Sequence, residues 1–122
     1  MRDRVLVIEL LEQIEQVIEN LLESTANLSD INELLTSADG LLRLNGICMS
    51  FIIIGEEVKR IDRYTDEQLL PNYPSIPWNS IKGMRNRIAH GYFEIDTDVV
   101  FDTLKNDIPP LLVVIKQIKS EI

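Results

Sequence analysis

Between Arg85 and Tyr92 the chain reads Arg-Asn-Arg-Ile-Ala-His-Gly-Tyr, so a guanidinium, a carboxamide, an imidazole and a phenol fall within eight positions. Arg85 can grip phosphate oxygens bidentately and stays charged at any physiological pH. His90, with an unperturbed pKa near ~6.5, can give or take a proton near neutrality. Asn86 can orient an imidazole or donate to a non-bridging oxygen. These groups suit chemistry at a phosphodiester: a base for the attacking hydroxyl, a cation for the charge that builds on phosphorus, and an acid for the leaving oxygen.

The charge distribution singles out the same stretch. The chain carries a formal net charge of -8, yet residues 68–93 contain no Asp or Glu and include Lys82, Arg85 and Arg87, so +3 in this window leaves -11 elsewhere. An acidic chain with one basic, histidine-bearing island points to a local site for an anion rather than a coat of nucleic acid. Lys82 and Arg87 are therefore candidate phosphate contacts beside Arg85. Spacing alone does not make Arg85 and His90 partners, since five residues on an ideal helix separate two side chains by about 140°. An alternative reading is structural: cations near a helix C-terminus complement its dipole, and a terminal His can act as a cap.

One His and one Cys, far apart, leave only carboxylates to complete a metal site, so metal-independent chemistry with no cofactor is expected. Cys48 reads as a small buried apolar side chain. Glu56 and Glu57 are neighbours that point about 100° apart, and they read as a solvated helix end rather than an acid–base pair. The wholly apolar runs, such as residues 51–54 and 111–115, are much shorter than the ~20 residues of a membrane span. The amphipathic N-terminus does not look like a secretory leader, so a cytoplasmic chain is expected.

The elements that must position the site are helical. Apolar residues at Val5, Ile8, Leu11, Ile14, Ile18 and Leu21 or Leu22 recur in steps of three and four. Asp30 and Glu33 mark the start of a short helix over 31–37. Residues 37–40 read as a weak breaker, and 41–61 as a long helix, apolar nearly all round to Ile54, in the centre of the bundle. Thr65 and Gln68 suggest a capped turn ended by Pro71. Pro71, Pro74 and Pro77 fix an extended loop before a helix over 77–90 that Gly91 stops. Asp96 or Thr97 caps a last helix, which Pro109 and Pro110 should kink before 111–122. No segment alternates with period two, so the expectation is one all-α domain over 1–122, a bundle of four to five helices.

These residues resemble a known family. Arg85, four residues, His90, one residue and Tyr92 look like the Arg-x4-His-x-Tyr signature of HepT-type toxins of the HEPN superfamily. Ile54-Gly55-Glu56-Glu57-Val58-Lys59, Ile76-Pro77-Trp78 and the sequence around Ile81 to Tyr92 agree with it, in the family's order along nearly the whole chain. The resemblance implies a homodimeric helical bundle that joins the Arg and His of both subunits in an interface cleft. It implies a metal-independent endoribonuclease with Arg85, Asn86 and His90 as catalytic groups and RNA as substrate. It also implies a toxin–antitoxin pairing with a minimal nucleotidyltransferase that transfers AMP onto the motif tyrosine, here Tyr92. Many relatives carry an Arg about seven residues before the Gly-Glu pair, a position that falls near Met49 here. Two other readings stay open: a non-catalytic subunit that holds nucleotide or substrate for the nucleotidyltransferase, and a helical interaction protein whose motif only caps a helix.

Overall fold

The computed structural model of the chain describes residues 3–88 and 94–122. Three long helices carry the fold: α1 (Arg4–Ser24), α2 (Ala38–Thr65) and, at the C-terminus, α6 (Ile108–Glu121). Between α2 and α6 lie the short helices α3 (Trp78–Lys82), α4 (Met84–Ile88) and α5 (Thr97–Asp102). Single 3-10 turns occupy Ile31–Leu34 and Leu70–Asn72, and no strand occurs among the described residues. The expected all-α architecture is the one observed.

The stripe on α1 buries Val7, Leu10, Leu11, Ile14, Ile18 and Leu21. Val5, expected on that stripe, is exposed, and Val7 and Leu10 take the inward positions at this end. Helix α2 runs beside α1 and contributes Ile47, Phe51, Ile54, Val58 and Ile61, with Phe51 and Ile54 wholly enclosed. Helix α6 closes the core with Ile108, Leu111, Val114, Ile115 and Ile118. Burying each such side chain contributes roughly 1.5–3 kcal/mol. The ends of the chain meet where the Arg4 guanidinium donates to the Ile122 carbonyl.

Helix starts follow side-chain chemistry, though not always the expected one. Ser37, read as part of a breaker, is the N-cap of α2 and accepts from the Gly40 amide at 2.9 Å. Asp30 caps the first 3-10 turn by accepting from the Asn32 amide, and the Ser29 hydroxyl engages Glu33, so Asp30 and Glu33 do not form a reciprocal box. Asp96 caps α5 by accepting from the Val99 amide. Thr65 ends α2 instead of opening a new turn, and Asp66 and Glu67 reverse the chain with φ of 52° and 60°. Helix α2 therefore runs four residues past its expected end.

Two proline-bearing segments also differ from expectation. The helix expected over 77–90 is split at Gly83, between α3 and α4. The last helix is interrupted by a π segment at Thr103–Asp107, and Pro109 and Pro110 sit in the first turn of α6, where a missing amide hydrogen costs little. The π segment takes up the register change that prolines inside a helix would otherwise force.

Helix α2 is not enclosed all round. It is the one described helix long and apolar enough to cross a bilayer by length and composition, with mean hydropathy 1.4 over its richest window, a match the short runs of apolar letters do not reveal. Its packing against α1, α3 and α4 identifies it as the core helix of this bundle. Its outer face nevertheless leaves Leu42 71 % and Met49 56 % exposed. Cys48 is buried, and burial pushes its thiol up, which keeps it protonated.

Gly55 sets how closely α3 approaches α2. A Cβ there would stand 2.8 Å from the Ile81 carbonyl oxygen, a backbone atom that cannot swing aside. Gly55→Ala should therefore destabilise the fold by about 1–3 kcal/mol despite alanine's higher helix propensity. Thermal or urea unfolding of the variant checks this, and a gain in stability would show that the close approach is unimportant.

Candidate functional site

The site is built from α2 outward. The proline loop before α3 is held by Trp78, whose indole N–H donates to the Tyr73 carbonyl at 2.9 Å, and by the Tyr73 hydroxyl, which donates to Glu121 on α6. That hydrogen bond pushes the Tyr73 phenol up to about 12. Trp78 is 9 % exposed and anchors the loop in the core. Helix α3 then runs against Gly55, and Lys82 reaches Asp62 of α2 at 2.6 Å.

Gly83 separates α3 from α4. Its amide donates to the Asn79 carbonyl, while its own carbonyl accepts from Asn86 and Arg87. Helix α4 is pinned by Met84 and Ile88, four residues apart and both buried, and the side chains of Arg85 and Asn86 lie in solvent. After residues 89–93 the chain returns so that the Asp96 amide donates to the Ile88 carbonyl at 2.8 Å. His90 and Tyr92 lie outside the described residues. The residues that flank them on either side are joined by this one hydrogen bond.

Folding changes the electrostatics that the linear sequence implies. Lys82, expected as a phosphate contact, is engaged by Asp62, and the side chains are only 23 % and 11 % exposed. The pair fastens α3 to α2 and takes up one of the three ammonium donors of Lys82. Arg87 faces Asp107, the last residue of the π segment, at 3.9 Å, and its side chain is 37 % exposed. That distance leaves guanidinium donors for another partner. Arg85 makes no ion pair among the described residues and is the cation of the island most open to a ligand.

Sequence reading missed Asp62 and Asp107 because both lie outside the carboxylate-free window. A signal for Asp62 was present: it falls at helical spacing with Gly55 and Val58 on a face that is otherwise apolar, where a lone carboxylate needs a partner. Two adjoining clefts, of about 420 and 470 Å³, open on either side of the Asp62–Lys82 pair. The first is walled by Leu70, Pro71, Pro77 and Trp78, the second by Lys59, Arg63, Asp66 and Glu67, and neither is lined by Arg85 or Asn86. Glu57 is less solvated than expected: its side chain is 13 % exposed, one oxygen lies 3.5 Å from Arg60, and the other is buried without a partner among the described residues.

The helical bundle thus displays Arg85 and Asn86 on a short helix, Arg85 without an ion pair among the described residues, at the start of the sequence segment that contains His90 and Tyr92. The chain belongs to the HepT-like family: the model described as ribonuclease HepT-like matches residues 7–118. It is similar to a candidate RNase of Methanocaldococcus jannaschii, 33 % identical over 79 residues that cover 62 % of each chain. It is also similar to a protein of Thermococcus cleftensis designated probable ribonuclease HepT, 42 % identical over 59 residues covering 48 % of this chain and 50 % of that one. A candidate RNase of Caldanaerobacter subterraneus subsp. tengcongensis is 33 % identical over 69 residues, 57 % of this chain and 58 % of its own. The chain thus spans between about half and three-fifths of the length of these curated relatives. No solved structure matches it.

Removing Lys82 strands a mostly buried carboxylate at Asp62. Lys82→Met should cost roughly 1–3 kcal/mol, and Asp62→Asn in the same chain should recover part of it. A double-mutant cycle by denaturant unfolding measures the coupling, and strict additivity would mean that the pair does not fasten α3.

Proposed function

We propose that the chain is a metal-independent endoribonuclease toxin in which Arg85, Asn86 and His90 cut RNA and a nucleotidyltransferase antitoxin silences it. The observation that carries this reading is Arg85: exposed on α4, without an ion pair among the described residues, in a chain of a ribonuclease family. The neutralisation of Lys82 supports it, because a general basic patch would not bury one of its cations against a carboxylate.

In this reading the ribose 2′-hydroxyl attacks the adjacent phosphorus and the P–O5′ bond breaks, leaving a 2′,3′-cyclic phosphate. One His90 takes the 2′-hydroxyl proton, and the His90 of a second copy protonates the departing 5′-oxygen. Arg85, with Arg87 beside it, holds the non-bridging oxygens while charge builds on them. Asn86 orients the imidazole. Two copies supply both acid and base, which a single histidine does not do in one step. Transfer of AMP to Tyr92 would add bulk and negative charge beside the arginines, and so exclude the RNA phosphate.

A second reading has one observation in its favour. The resemblance places near Met49 a position at which many relatives carry an Arg, so this chain lacks that cation there, as a subunit that only holds nucleotide or substrate for a nucleotidyltransferase could. RNA cleavage by the chain alone separates the two readings.

His90→Ala and Arg85→Ala should each reduce cleavage of a labelled RNA by about 100-fold or more while leaving helicity and unfolding unchanged. Cleavage at the parental rate by either variant would sink the catalytic assignment. Incubation with the cognate nucleotidyltransferase and ATP should add the mass of AMP to a peptide containing Tyr92 and stop cleavage. An unmodified Tyr92 peptide after a complete reaction would refute the silencing step.

A further inference from the structure

The ion pair that fastens α3 to α2 also lines both of the clefts that open beside it, and it does not use up either partner. Lys82 keeps two of its three ammonium donors. The second carboxylate oxygen of Asp62 accepts no hydrogen bond from the described residues. A donor and an acceptor are therefore held side by side, on a wall that cannot shift unless α3 parts from α2.

The first cleft surrounds this edge with apolar surface. Its volume of about 420 Å³ is that of a small-molecule site, and Leu70, Pro71, Pro77 and Trp78 form its apolar walls. Trp78 has already given its indole N–H to the Tyr73 carbonyl, so what it offers the cleft is ring carbon. Asn79 and Ser80 add a carboxamide and a hydroxyl, groups that both donate and accept. Charge argues against a phosphate in either cleft. Asp62 offsets Lys82 in the first, and three carboxylates offset three cations in the second. The occupant that fits is flat, uncharged and edged with donors and acceptors, as a nucleobase is.

Position selects the molecule that carries the base. Lys82 ends α3, and Arg85, the open cation, follows three positions later across Gly83. A strand whose phosphate rests on Arg85 carries its neighbouring nucleotide toward the end of α3. We infer that the cleft between α3 and the proline loop takes an unpaired base of the RNA whose phosphate Arg85 holds. The Asp62–Lys82 pair and Asn79 read its edge, and Trp78 and the prolines pack against its face. The cleft is then the place where the chain prefers one base over another. This inference deepens the ribonuclease reading and rests on it for the choice of RNA.

The chain has a single tryptophan, so the wall of the cleft carries its own fluorescent reporter. Titrating the full chain with 2′-O-methyl hexanucleotides, which lack the attacking hydroxyl, separates binding from cleavage. The probes are the homopolymer of each base, an abasic hexamer with the same phosphates, and each nucleoside 5′-monophosphate. At least one homopolymer should bind about 10-fold or more tightly than the abasic hexamer and change the emission of Trp78. Each mononucleotide, which brings no neighbouring phosphate to Arg85, should bind about 30-fold or more weakly than that homopolymer. Asn79 is exposed on α3, and Asn79→Leu should cut the gain from the base to about 2-fold or less while abasic binding stays as it was. Arg85→Ala should weaken both hexamers alike and keep that gain.

An abasic hexamer that binds as well as every homopolymer, or a saturated complex with unaltered Trp78 emission, overturns the base cleft. A mononucleotide that binds as tightly as the best hexamer makes the cleft a site for free nucleotide and overturns its assignment to RNA. Cleavage of the matching unmodified hexamers keeps the two ideas apart. Base-dependent binding with no cleavage leaves the cleft standing and defeats the ribonuclease reading, and cleavage indifferent to the base does the reverse.

Discussion

The contact between the Gly55 position of α2 and the Ile81 carbonyl of α3 governs where the candidate site stands. Because no side chain intervenes, α3 lies directly on α2, and Lys82 arrives within 2.6 Å of Asp62. One interaction is steric and demands a glycine. The other is ionic and demands two specific charges. Together they fix the start of α4, whose buried Met84 and Ile88 then leave Arg85 and Asn86 on the solvent side. An arginine whose helix could slide would be a poor clamp for a phosphate, since catalysis by positioning tolerates little misplacement.

The same contact explains a selective use of charge. The basic island of the linear chain holds three cations, and the fold spends one of them, Lys82, on its own architecture. It brings Asp107 toward a second, Arg87, through the π segment. What stays open is concentrated at Arg85. On a chain with net charge -8, that arrangement favours an anion at one place and repels it from most of the rest of the surface.

Much of this was legible in the sequence, and the parts that were not share a cause. Helical class, the buried stripe of α1 and the Asp96 cap follow from local spacing, which a sequence carries directly. Ser37 was misread because the same small polar residues signal a break or a cap, and only the direction of the following helix decides between them. Gly83 and the prolines near α6 mark where helices are interrupted, but not whether a hinge, a π segment or a kink results, since neighbouring elements settle that. The neutralisation of Lys82 was hidden because its partner lies twenty residues away. Charge counted along a window says nothing of carboxylates that the fold carries into it.

Helix α2 shows how one element can satisfy two demands at once. Its inner face, through Phe51, Ile54, Val58 and Ile61, makes the core with α1 and α6. The Gly55 and Asp62 positions receive α3, and the outer face retains Leu42, Met49 and Ile53 in solvent. Scattered exposed apolar side chains are ordinary on a protein surface. Because the same helix makes the core and receives α3, the placement of Arg85 is tied to the formation of the fold's centre.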